Sequence, residues 1–277
     1  MYTERELIRD FTVLGIERGS VLMMHSAMSG IGPVEGGAET VIRALLFVLG
    51  KEGTLAAPTM TPTNVPFDPA NSPSNVGILS ETIRRWPGAW RSLNPLHSVS
   101  AIGARALELT DGHDLCYAGC DEKSPYYKLL GMDATIMLLG VDMDRNTTMH
   151  TLEQLAQSSY LGHATIPAPL YPPYNGRGVF ELNLHPGGHR DYIGLTPMLR
   201  REGVIREGLV GSARALLMKV RRLFDVLIPR LKDEPLLFLC KNVNCSFCHR
   251  ARADYARELA RKWRDNRDGG TTATAEN

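Results

Sequence analysis

Three short runs in the first half of the chain, residues 20–25, 53–58 and 134–141, are apolar without alternation. A half-solvated strand alternates polar with apolar residues, so unbroken runs of this length suit strands buried on both faces, beneath helices on each side. Polar residues begin where each run stops: His25 and Ser26, then Thr59, Thr61 and Thr63, then Asp142 and Asp144. Helical spacing appears between the runs, with Val41, Ile42, Leu45, Leu46 and Leu49 on one face of residues 37–49. The repeated order of strand, loop and helix predicts an α/β fold. We expect a single three-layer domain with a central, largely parallel or mixed sheet flanked by helices, plus inserted loops. The domain is expected to span residues 1–266, with 267–277 a disordered C-terminal tail.

Local signals set the other elements. Thr3 and Glu6 form a capping box for a first helix that Gly15 closes. Residues 60–76, rich in Pro, Asn, Ser and Asp, read as a long surface loop, and loops of that length in compact domains are usually functional or disordered. A short helix over 77–86 stops at Pro87, and Ser124-Pro125 opens another that Gly131 ends. Past Gly162 the chain is rich in Pro, Tyr, Gly and His, with one strand expected at 179–182 and a helix from Thr196 to Gly203. Ser212 is placed as the cap of a long amphipathic helix carrying Leu216, Leu217, Val220 and Leu223. Residues 236–239 are expected to form a late strand, and 248–263 a charged terminal helix.

Composition narrows the class. The 31 basic and 30 acidic residues nearly cancel, and no basic stripe interleaves with aromatics, which argues against nucleic acid as a partner. No apolar run approaches the roughly 20 residues that span a bilayer, so no membrane partner is expected. Five cysteines, an odd number, do not read as a disulfide framework, and the expected compartment is the cytoplasm. The oligomeric state stays open, a homodimer among the options.

The residues after the third run carry the strongest chemistry. A helix starting near Thr147 or Thr148, either able to cap it, puts His150 and Glu153 on one face in its first turn. Met149 and Leu152 supply its apolar stripe. A base and a carboxylate would then stand at the carboxyl end of a sheet strand, where open α/β folds place ligands. The plain alternative is a surface histidine on a helical turn.

Four segments in order then resemble one family. Residues 22–32, with His25, Ser26, Ser29 and Gly30, look like a strand-loop of the form HSSLSSLG. Asp68-Pro69, Ser72-Pro73 and the segment from Gly77 through Glu81 to Arg84 look like its DP, SP and GxLxExxR elements. Residues 91–101, with Arg91, Ser92 and Ser98, are similar to RSxHPxxSxxA. Ser124-Pro125, the run Leu138-Leu-Gly-Val141 and the stretch from Thr148 to Glu153 resemble its SP, LLGV and HxxE elements. Together they resemble the aminoglycoside N3-acetyltransferases, antibiotic acetyltransferases without the GNAT fold. The resemblance implies acetyl transfer from acetyl-CoA to the 3-amino group of an aminoglycoside, with His150 as base and Glu153 as its orienting carboxylate. It assigns His25, Ser26, Ser29, Gly30, Arg91, Ser92 and Ser98 to the CoA side, and Asp68, Glu81 and Asp142 to the cationic acceptor. Asn94 stands where the family commonly has His, and Ala27 where it has a second Ser. Acidic residues are few after 162, which keeps another amine acceptor in a biosynthetic pathway as an alternative. A zinc-stabilised homologue without turnover is the other.

Two features fall outside the resemblance. Cys240, Cys245 and Cys248 have spacing a zinc site uses, but adjacent Cys248 and His249 seldom ligate together and no second Cys-x2-Cys occurs. Cys240 also ends an apolar run, where a free cysteine is an ordinary small hydrophobe, so zinc on these three is kept as the less favoured reading and no metal ligand is assigned. His185-Pro-Gly-Gly-His189 admits a metal-hydrolase reading with His25, His97 or Asp142, but its proline and glycines describe a turn.

Overall fold

The computed structural model describes residues 1–168, 179–185 and 188–269. Its capping box forms as the sequence predicts. The Thr3 hydroxyl accepts from the Glu6 amide while the Glu6 carboxylate accepts from the Thr3 amide at 2.8 Å, starting α1 (Glu4–Leu14). In chain order there follow β1 (Val21–Ser26), α2 (Met28–Ile31), α3 (Gly37–Leu49), β2 (Thr54–Pro58), α4 (Ile78–Arg84), β3 (Trp90–Arg91), β4 (Val99–Gly103) and α5 (Ala106–Thr110). The second half contributes α6 (Pro125–Gly131), β5 (Thr135–Leu139), α7 (Met149–Leu155), β6 (Gly162–Pro167), β7 (Val179–His185), α8 (Thr196–Arg201), β8 (Arg206–Val210), β9 (Ala213–Lys219), α9 (Val220–Asp233) and α10 (Ser246–Gly269). Because α10 runs to Gly269, it takes in the first residues of the expected tail, and residues 270–277 lie outside those described.

Seven strands form one sheet in the order β3-β4-β2-β1-β5-β9-β8. The three apolar runs are its centre, with β1 parallel to both β2 and β5, while β4 and β9 add antiparallel on either side. The sheet is thus mixed around a parallel core. Alternate side chains serve opposite layers, as a doubly covered strand requires. Leu22 and Met24 pack with Leu7, Phe11, Val41, Leu45 and Ile83 from α1, α3 and α4. Val21 and Met23 face the other way, toward Tyr126, Leu129, Leu152, Leu223 and Phe224 from α6, α7 and α9. This is the three-layer α/β architecture expected. A separate two-stranded sheet, β6 with β7, stands beside it.

Two expected elements take another form. Residues 213–219 are a strand, not the start of a long helix, and the helix begins only at Val220. Leu216 and Met218 enter one core and Ala215 and Leu217 the other, a division that a short apolar run reveals only once its neighbours are placed. Residues 236–239 form a turn. Phe238 is buried edge-on against Tyr192, ring centroids 5.2 Å apart, and its carbonyl accepts from Asp191 instead of joining a ladder. The strands β3, β6 and β8 carry no sequence signal of their own that predicts them.

Candidate active site

Parallel pairing brings the carboxyl ends of β1, β2 and β5 to one edge of the sheet. Antiparallel β4 reverses the logic next door: Val99 pairs with Pro58, so the residues before β4 arrive at that same edge. They include His97. Asn94, in the position where a histidine is common, accepts hydrogen bonds on Oδ1 from the amides of Leu96 (3.1 Å) and His97 (2.8 Å), and so shapes the turn that delivers His97. Gly119 backs that histidine. Its φ is +69°, and a Cβ there would stand 2.9 Å from His97 Nδ1, so both conformation and space call for glycine.

Over this edge lies a cavity of about 690 Å³, lined by His25, Ser26 and Ser29 from β1 and α2, His97, Asn75 and Val76, Asp144 and Arg145, and His150. Burial drives the pKa of His25 down to about 3, so its ring is neutral, and its Nε2 has no partner among the described residues.

His150 enters from α7, as its spacing predicts. Neither threonine caps that helix: Thr148 occupies the cap position with a helical backbone and makes no side-chain cap bond. His150 Nδ1 lies 2.8 Å from Glu153 Oε2 and 2.9 Å from the Tyr192 hydroxyl. Glu153 is fully buried, and its other oxygen accepts from Arg190 Nε, a guanidinium with 3% of its side chain exposed. Removing two charges from water is costly, and this pair offsets the cost because each charge neutralises the other at hydrogen-bond distance. Burial alone would lower the pKa of Arg190, but the attraction of Glu153 holds it above its usual value. Burial first, and then the negative Glu153, push the Tyr192 hydroxyl far above the usual phenol range, so it stays protonated. With both partners on Nδ1, Nε2 is the nitrogen of His150 left to the cavity. His97 and His150 rings stand 6.2 Å apart.

The fold gathers His25, Ser26, Ser29, His150 and Glu153, and it disperses the other expected residues. Arg91 turns away from the cavity and fastens the 59–76 loop, donating to the carbonyls of Ser72 (2.6 Å), Thr59 (2.5 Å) and Pro69 (3.3 Å) and lying over the Phe67 ring. Burial, then repulsion from Arg84, lowers its pKa to about 9, still charged at neutrality. Ser92 bonds His113 Nδ1 (2.8 Å) and accepts from the Val99 amide, and Ser98 donates to the Thr59 carbonyl. Gly30 packs against Gly140 beneath a separate shallow groove. On the acceptor side, Asp68 accepts from Ala70 and Asn71 within its own loop, and Glu81 is engaged by Arg84 and the Ser74 amide. Asp142 accepts from the Met143 amide and pairs with Arg214 at 3.4 Å. None of these lines the cavity, because each already satisfies a local backbone or ionic need. The sequence reading missed Arg190 and Tyr192, which lie 37 and 42 residues from their partners in a stretch without helical or strand periodicity.

A strand-edge cavity with an oriented, half-buried histidine on its wall is the kind of arrangement in which an α/β enzyme binds a small molecule, and one that could serve proton transfer. The chain belongs to the aminoglycoside 3-N-acetyltransferase family, whose model matches residues 23–232. It is similar to aminoglycoside N(3)-acetyltransferase VII of Streptomyces paromomycinus, at 32% identity over 260 residues, covering 80% of this chain and 89% of the relative. The fold matches a mutant of aminoglycoside acetyltransferase AAC(3)-IVa in complex with a gentamicin, at TM-score 0.83 and 29% identity over 91% of this chain and 97% of the other. It also matches the AAC-IIIb binary complex with CoASH, at TM-score 0.75 and 28% identity over 84% and 97%. Among the described residues no helix is long and apolar enough to cross a membrane.

Proposed function

We propose that this chain transfers the acetyl group of acetyl-CoA to the 3-amino group of an aminoglycoside, with His150 as general base. The observation that carries the reading is His150 at the cavity wall, its Nδ1 held by the buried Glu153. Nδ1–H donates to that carboxylate, leaving the Nε2 lone pair for the substrate. The amine attacks the thioester carbonyl, His150 Nε2 takes the proton the nitrogen sheds, and the tetrahedral intermediate collapses with loss of the CoA thiolate. His150 then returns the proton to the sulfur. No protein nucleophile is needed, and Cys116 and Cys120 suit none: burial pushes both thiols far above the usual range. Ser26, Ser29 and the unpartnered Nε2 of His25 offer polar contacts to the donor or acceptor.

One observation favours a different acceptor. A polycation asks for several carboxylates, whereas Asp144 is the one carboxylate among the described residues lining the cavity, and Arg145 pairs with it at 3.2 Å. A biosynthetic amine of lower charge is therefore the second reading. Release of CoA over a panel of 2-deoxystreptamine antibiotics and monoamines separates the two. His150→Ala should lower kcat at least a hundredfold with the circular dichroism unchanged, on the scale general-base catalysis contributes, roughly 10² to 10⁴. A fully active variant would sink the mechanism.

A further inference from the structure

The cysteines and the second histidine pair, separate features in the sequence, meet in space. Cys240 follows α9, Cys245 precedes α10, and Cys248 sits in the first turn of α10. The fourth member is His189, while His249, the neighbour in sequence, takes no part. The three Sγ atoms and the His189 ring nitrogen all lie within 4.8 Å of one another. His189 Nδ1 is 3.6 Å from Cys248 Sγ and 3.7 Å from Cys245 Sγ. A tetrahedron with Zn–S near 2.3 Å and Zn–N near 2.0 Å has edges of roughly 3.5–3.8 Å, so these separations match ligands around a shared ion. All cysteines are free thiols.

The surroundings hold the sulfurs in place. Arg252 donates to the carbonyls of Cys240 (2.7 Å) and Cys248 (3.2 Å), tying the loop after α9 to the start of α10. Gly188, with φ +88°, lies flat on Phe247, where a Cβ would stand 2.1 Å from the ring. The residue after His189 is Arg190. Its Nη1 donates to the His189 carbonyl (2.9 Å), and its guanidinium lies over the rings of Tyr160 and Phe247 at 4.6 and 5.0 Å while its Nε reaches Glu153.

We propose that His189, Cys240, Cys245 and Cys248 bind one Zn²⁺ in a closed, structural site, and that this site positions Arg190 against Glu153. Four protein ligands leave no open position, so the ion does no chemistry on substrate. Its part is to fix residues 188–192, which belong to neither a helix nor a strand. Zinc binding is independent of the acetyltransfer reading, whereas its effect on turnover rests on that reading.

Elemental analysis of the full chain, purified without a polyhistidine tag and passed over chelating resin, should find one zinc per chain. Cobalt exchange should give the thiolate charge-transfer band and intense visible bands of tetrahedral Co²⁺. Zinc absent from the wild-type chain, retained by the Cys245→Ser/Cys248→Ser variant, or replaced by a cysteine–cysteine bond in the non-reduced mass spectrum would each overturn the site. For the coupling, the wild-type chain stripped of zinc should lose kcat about tenfold or more, the scale of losses when a metal's supporting contacts are removed. KM should change little, and added Zn²⁺ should restore kcat. Full kcat in the zinc-free chain, or a change confined to KM, overturns the positioning role.

Discussion

Glu153 sits in a place water does not reach, one oxygen paired with Arg190 from 37 residues away and the other meeting His150 a single helical turn before it. Removing one partner of such a pair leaves a bare buried charge, which typically costs about 3–5 kcal/mol. Arg190→Met should therefore lower stability by roughly that amount in urea denaturation, as well as lowering kcat through misdirection of His150. Tyr192→Phe keeps the charge pair and removes only a hydroxyl, so a loss of kcat near tenfold or less and a stability change of about 1 kcal/mol are expected. Equal losses for the two variants would contradict the ranking. At this scale the sequence shows what lies within one helical turn: His150 and Glu153 are three apart and do meet. It does not show Arg190, because a contact across 37 residues leaves no periodic trace. Arg91 lies outside the cavity lining for a related reason, since whether an arginine faces a cavity or main-chain carbonyls depends on where the 59–76 loop falls.

Capped helices were the most legible elements. Ser124 accepts from the Tyr127 amide at 3.2 Å, with Pro125 at the first helical position, and α6 starts where those two residues predict. Ser124→Ala should lower the unfolding free energy by about 1 kcal/mol, measured as a shift of the denaturant midpoint, and leave kcat unchanged. Strands were legible as buried segments but not in direction. Nothing in residues 99–102 announces that β4 runs against β2, yet that reversal is what carries His97 to the site edge. Residues 213–219 show the companion difficulty: a short run apolar on both sides suits a buried helix or a central strand equally until its neighbours are known.

Across the whole molecule, buried histidines tie stability to pH. Burial lowers the pKa of His25 to about 3 and of His113 to about 4, against roughly 6.5 in the unfolded chain. Unfolding between those values takes up protons. Stability is therefore full above pH 6.5 and is lost as the pH falls toward 4 and then 3, at about 1.4 kcal/mol per pH unit for each ring. Urea midpoints should drop steadily from pH 7 to pH 5, and His113→Gln should flatten the slope; constant midpoints would refute the account. At this scale the three-layer plan followed from the unalternating runs, because such strands need cover on both sides. The arrival of Arg190 at Glu153 and of Tyr192 at His150 did not follow from any pattern. The fastening of the loop over the cavity has one more consequence. Arg91 grips carbonyls of Thr59, Pro69 and Ser72, and the Asn75 amide returns to the Met60 carbonyl. Carbonyls come with every amino acid, and the amide with every one but proline. At Asn75 and Val76 the anchorage thus asks little of the side chain, and mutation to any residue but proline can re-tailor the cavity wall there while the loop stays seated. Libraries at those two positions should change the range of amines accepted with little change in denaturation midpoint, making this rim the stretch where new specificities arise at the smallest cost to the fold.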